Sequence, residues 1–125
     1  MTVAYDAGVL VAADRNDPKV WADHWNLLGD DRIPITSAAV VAQVSRSGKQ
    51  ALLRRFLDGC RVVPFTDEDA HHVGALLAGT GTTDVVDAHL VIVAARAGAD
   101  VVTADVDVLQ PLAARMASRV TVRRL

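Results

Sequence analysis

The sequence predicts an α/β domain built on a parallel sheet, because short apolar stretches of strand length alternate with helical patterns along its 125 residues. The stretches fall at residues 3–5, 33–36, 61–65, 100–103 and 120–122, and helix start and stop signals lie between them. Apolar residues make up 51% of the chain, mostly Val, Ala and Leu, which is enough for a core without disulfides or a structural metal. Residues 1–125 are expected to form a single domain.

Each element has a local cause. The first strand ends at Asp6, ahead of the small pair Ala7-Gly8. Asp17-Pro18 is a cap followed by a first-turn proline, and Val20, Trp21, Trp25 and Leu28 then recur at helical spacing up to Gly29. Ser37 is positioned to cap a helix through Val40, Val41 and Val44, with Gln43 in its second turn. Ser47-Gly48-Lys49-Gln50 reads as a capping box that opens another helix, with Leu52, Leu53, Phe56 and Leu57 inward and Gly59 after it. Thr66 and the acids Asp67, Glu68 and Asp69 suit a helix N-terminus, and these acids need no catalytic explanation. The helix from about 84 to 97 is apolar nearly all round and stops at Gly98. Asp105 to Leu109 reads as a turn, with Pro111 starting a last helix.

Composition narrows the function classes. The longest apolar run, 90–95, is far short of the ~20 residues that a membrane span needs, and a cytoplasmic protein is expected. Cys60 is alone, so a thiolate metal cage is excluded and any metal must be held by oxygen or imidazole. A net charge of −2 argues against general attraction to nucleic acid, although Arg46, Arg54, Arg55, Arg119, Arg123 and Arg124 are bunched. His24, His71, His72 and His89 show no ligand spacing and read as packing or surface residues. No Gly-rich phosphate loop with a following Lys is present.

The alternation of strands and helices converges the aspartates. Asp6 and Asp105 follow strands, and the helix that begins near Asp84 and Asp87 must run back to feed its strand. All three segments therefore meet at the carboxyl edge of a parallel sheet, where such sheets bind ligands. Crowded carboxylates repel unless protonated or bridged by a cation, and Mg²⁺ or Mn²⁺ suits oxygen ligands. The chemistry implied is phosphate-ester cleavage. Asp6 is otherwise a helix cap, and the set favours a site. Asp84 fits capping or support better than ligation, whereas Asp87, on a buried helix face, fits a ligand. Asp105 and Asp107 read either as turn residues or as part of the set.

Tyr5-Asp6-Ala7-Gly8, Asp84-Val85-Val86-Asp87-Ala88-His89 and Val102-Thr103-Ala104-Asp105-Val106-Asp107 together resemble the PIN-domain family, specifically the VapC-type toxin ribonucleases. The resemblance implies an α/β/α sandwich with a five-stranded parallel sheet of order 3-2-1-4-5. It implies metal-binding acids at Asp6, Asp87 and Asp105, a supporting hydroxyl at Thr103 and an additional acid at Asp107. It further implies an Mg²⁺- or Mn²⁺-dependent ribonuclease that forms a homodimer and is inhibited by a cognate antitoxin. The pattern has a glutamate where this chain has Gln43, whose amide accepts a bond but adds no negative charge.

Two other functions compete. A metal-poor module that binds RNA or protein without cutting is kept open by Gln43. A phospho-acceptor signalling domain would need an Asp after the third strand and a Lys after the fifth, where Pro64-Phe65-Thr66 and Arg123-Arg124 stand. Asp105-Val106-Asp107 also resembles the DxD nucleophile of phosphatases, but there the motif follows the first strand. Trp21 and Trp25 are either interface anchors or core.

Overall fold

The computed structural model describes residues 2–125. Its strands are β1 (Val3–Tyr5), β2 (Ile35–Ser37), β3 (Arg61–Val63), β4 (Asp100–Thr103) and β5 (Val122–Arg124). Its helices are α1 (Ala7–Asp14), α2 (Pro18–Gly29), α3 (Ala38–Val44), α4 (Ala51–Asp58), α5 (Asp67–Ala78), α6 (Val85–Ala97) and α7 (Val106–Ala113). The strands form one all-parallel sheet of order β3-β2-β1-β4-β5, as the resemblance implies.

Local signals placed most elements. Asp17 accepts from the Lys19 and Val20 N–H groups, with Pro18 as the first residue of α2. Ser37 closes β2 and accepts from Ala39 N–H, so one residue ends the strand and caps α3. Thr66 and Asp69 form a reciprocal capping box on α5, and Gly98 ends α6 in the left-handed conformation at φ 64°. Residues 87–94 of α6 are buried without interruption, so this helix is the centre of the core.

Several expectations fail for identifiable reasons. β2 begins at Ile35 because Pro34 lacks an N–H for the ladder, although its carbonyl accepts from Arg61 N–H at 2.9 Å. β3 stops at Val63 because Pro64 removes the next donor. The Ser47 to Gln50 capping box does not form. Gln50 is itself the cap residue of α4, and its amide holds the preceding loop, accepting from Arg46 and Ser47 N–H and donating to Val44 O and Asp14 Oδ2. The expected turn at 105–109 is the start of α7. Asp105 O accepts from Val108 and Leu109 N–H, and burial of Leu109, Leu112 and Ala113 outweighs the single bond that Pro111 deletes inside the helix. The last strand lies two residues later than expected, because Val120 is buried in the core and register with β4 pairs Val101 with Val122.

The two tryptophans divide. Trp21 is core, with Nε1 donating to Ala13 O at 3.0 Å, whereas Trp25 is 54% exposed. The inward place next to Trp21 belongs to His24, whose ring stacks on Phe56 at 3.9 Å and whose Nδ1 lies 3.0 Å from the Tyr5 hydroxyl. Burial pulls the His24 pKa down.

Two glycines give a test of the packing. A Cβ on Gly8 would stand 2.9 Å from Ala104 Cβ, where α1 starts against the turn after β4, whereas a Cβ on Gly29 would meet nothing within 4 Å. Gly8→Ala is expected to cost about 1–3 kcal/mol through overpacking, and Gly29→Ala to gain up to about 1 kcal/mol from helix propensity. Urea midpoints of the two variants check both signs.

Candidate metal centre at the carboxyl edge of the sheet

β1 and β4 lie side by side in register, Tyr5 opposite Val102, so the residues that follow them come out together. Asp6 N–H donates to Val102 O, extending the ladder by one step before the chain turns into α1. The Asp6 carboxylate is buried and fully oriented. One oxygen accepts from Ala7 N–H at 2.7 Å and the other from the Thr103 hydroxyl at 2.6 Å. Thr103 has no exposed surface, and its oxygen also accepts from Asp105 N–H at 2.9 Å. One hydroxyl thereby sets the Asp6 side chain and the backbone that presents Asp105.

Asp84 and Asp87 come from the start of α6. Asp84 is the cap, accepting from Asp87 N–H at 2.9 Å. Asp87 is 9% exposed, and its carboxyl pKa is pushed up to about 7, first by burial and then by the carboxylates of Asp84, Asp6 and Asp105. Burial is the larger cause, and the neighbouring carboxylates add to it. Asp105 stands at the N-terminus of α7 without a capping bond and is exposed, so its carboxylate is uncommitted. Asp107 is exposed in the first turn of α7. Gln43 is exposed in the second turn of α3, and its amide makes no hydrogen bond among the described residues.

Among the described residues, no three His, Cys, Asp or Glu side chains converge closely enough to enclose an ion. The donor set nevertheless fits Mg²⁺ or Mn²⁺, since Mg²⁺ keeps several waters and needs only one or two carboxylates. A cation would relieve the repulsion that the neighbouring carboxylates add to the burial of Asp87.

Two features escaped the sequence. Arg124, at the end of β5, donates to Ala104 O at 3.3 Å and so holds a cation next to the Asp105 turn. Its place depends on the register of β5, which the misplaced last strand obscured. Arg123, by contrast, pairs with Asp100. The second feature is a buried polar chain through Ser37, His89 and Asp69. Its one available signal was a lone His on an otherwise apolar helix. Cys60 is a bystander, its thiol pushed up to about 12 by burial.

An all-parallel α/β sheet with acids gathered at its carboxyl edge defines the class of protein. The chain belongs to the PIN-domain family, whose sequence model matches residues 3–113, and PIN domains are generally nucleases. It is similar in fold to a chain in the crystal structure of VapBC2 from Rickettsia felis bound to a DNA fragment from their promoter. The match covers 100% of this chain and 99% of that one, at 20% identity and a TM-score of 0.71. No curated protein matches the chain. No helix among the described residues is long and apolar enough to cross a membrane.

The raised Asp87 pKa fixes a sign for stability. An acid that protonates more readily when folded stabilises the fold below its unfolded pKa near 3.8, and that contribution is lost as pH rises through about 7. In metal-free protein at pH 8, Asp87→Asn is therefore expected to be more stable than wild type by about 2 kcal/mol, allowing for solvent screening. The advantage should shrink toward zero by pH 4, as thermal melts of both proteins across that range would record.

Proposed function

We propose that this chain is a divalent-metal-dependent RNA endonuclease, the toxin of a VapBC-type toxin–antitoxin pair, acting in the cytoplasm as a homodimer restrained by a cognate antitoxin. The observation that carries the reading is the junction at the carboxyl edge, where the Thr103 hydroxyl joins Asp6 to the backbone of Asp105 beside buried Asp87 at the start of α6. Family membership supports nuclease chemistry, and the likeness to a VapBC2 chain supports an antitoxin partner.

In this reading Asp6, Asp87 and Asp105 hold the ion, with Asp84, Thr103 and Asp107 in support. When bound, Mg²⁺ or Mn²⁺ supplies positive charge to the phosphodiester and lowers the pKa of an attacking water. The rest belongs to the protein. Thr103 donates to Asp6 and so keeps that carboxylate turned toward the edge in the absence of any ligand. Asp84 fixes the first turn of α6 through the Asp87 N–H. Exposed Asp105 is open to the solvent side from which a strand of RNA arrives. Arg124 offers a forked donor to a phosphate beside it.

A second reading, a binding module on a nuclease scaffold, is favoured by Gln43, which leaves one neutral amide where the family pattern carries a charge. The two readings separate in one set of measurements. Wild type is expected to bind Mn²⁺ by calorimetry and to cut RNA, and Asp6→Asn to lose cutting by at least about 100-fold. Gln43→Glu is expected to bind Mn²⁺ about tenfold more tightly, equivalent to about 1.4 kcal/mol, and to cut at least as fast. Cutting by Gln43→Glu but not by wild type would establish the binding module. Equal Mn²⁺ affinity in wild type and Gln43→Glu would place Gln43 outside the site.

A further inference from the structure

Behind the acid edge lies a polar chain enclosed in the core. Ser37 Oγ is 2.6 Å from His89 Nδ1, and His89 Nε2 is 2.9 Å from Asp69 Oδ2. Asp69 Oδ1 accepts from Arg96 Nη1 at 2.6 Å, and Asp69 N–H donates to Thr66 Oγ1 in the cap of α5. Ser37, His89 and Asp69 are buried, and Arg96 and Thr66 reach solvent.

The direction of the bond between His89 and Asp69 follows from its far end. Hydrogen bonds from His89 and Arg96 hold the Asp69 carboxyl well below the usual carboxylate range, against the opposing effect of burial. A carboxylate only accepts, so His89 Nε2 carries the hydrogen. His89 Nδ1 shares the next bond with the Ser37 hydroxyl, and the Ser37 oxygen accepts from Ala39 N–H. The chain ends on Asp69, whose carboxylate accepts from His89 on one side and from Arg96 on the other, so every group is satisfied. A buried network that is fully satisfied specifies a unique arrangement of the elements it joins.

Those elements carry the acid edge. Ser37 starts α3, which bears Gln43, and His89 lies two residues beyond Asp87 on α6. Helix α6 is buried over residues 87–94, so most of its grip is apolar contact, which is non-directional and tolerates small rotations. Hydrogen bonds do not. We propose that Ser37, His89 and Asp69 are positioning residues, whose chain of hydrogen bonds fixes the first two turns of α6, and with them Asp87, against α3 and Gln43. The functional consequence rests on the reading of Asp87 as a metal-site acid; the geometry does not.

The test uses Asp69→Asn, which keeps the shape of a side chain on α5, outside the acid edge, but cannot accept from His89 Nε2 while keeping its other bonds. It is compared with Ser37→Thr, which keeps the hydroxyl, and with Leu53→Val, a core change on α4 chosen to lower the melting temperature. Calorimetry is expected to show Mn²⁺ binding weakened about tenfold in Asp69→Asn, the low end for residues that orient ligands, and within about twofold of wild type in the other two. RNA cleavage by Asp69→Asn should fall in kcat with KM nearly unchanged. The same Mn²⁺ affinity in Asp69→Asn as in wild type overturns the proposal, and so does an equal loss in Leu53→Val. Should wild type bind no Mn²⁺, the metal reading fails, and the amide spectrum of metal-free protein decides the relay by itself. Resonance shifts in Asp69→Asn that reach both Asp87 and Gln43 support it, and shifts confined to α5 overturn it.

Discussion

Parallel pairing of β1 with β4 brings Tyr5 opposite Val102, and the next residues of both strands leave the sheet at the same place. The two strands are about a hundred residues apart in the chain, yet a single buried hydroxyl, that of Thr103, joins them by donating to Asp6 and accepting from Asp105 N–H. The starts of α1 and α7 depend on that junction. So does the close approach of Gly8 to Ala104, which leaves no room for a larger residue. Since β2 and β5 flank this pair, the rest of the sheet is built outward from the position where the acids meet.

The acid edge and the core make opposite demands. Burial of α6 stabilises the fold through apolar area, but it takes Asp87 into surroundings where a carboxylate is poorly solvated and feels the charge of other acids. Asp84 meets part of this demand by capping the helix, which leaves Asp87 N–H satisfied but does nothing for its charge. The most buried helix thus begins with an acid that burial first, and neighbouring carboxylates second, make harder to ionise. Asp69 shows the contrary case, since a buried carboxylate with His89, Arg96 and Thr66 as donors is held ionised. Donors rather than depth separate the two aspartates.

Polar groups inside the core also limit how the apolar parts pack. His24 and His89 both occupy wholly buried positions, and each is tied by a hydroxyl at Nδ1, Tyr5 for the first and Ser37 for the second. Among the described residues, His24 Nε2 has no partner, and Gly59 leaves it space by lacking a Cβ. His89 is satisfied at both nitrogens. Burial gives both histidines the packing role expected of them, and the two bonds of His89 also tie α6 to the end of β2 and to α5.

The helix caps at Asp17, Ser37, Thr66 and Asp84, and the places of Asp6 and Asp105 after strands and of Asp87 at a helix start, were legible in the sequence from cap chemistry, periodicity and the alternation of strand with helix. The strand order came from the family resemblance instead. The start of α7, the register of β5 and the role of Gln50 were not legible, because a turn signal at Asp105 loses to burial of Leu109 and Leu112, and strand register is set by a neighbouring strand. The contacts that give the candidate site its chemistry join residues distant in the chain: Thr103 to Asp6, His89 to Ser37 and Asp69, Arg124 to Ala104. Residue types and local spacing determine which groups are available at the sheet edge. Which of them are buried, paired or left exposed is decided by tertiary structure, because desolvation and hydrogen-bond geometry depend on neighbours that only the folded chain brings together.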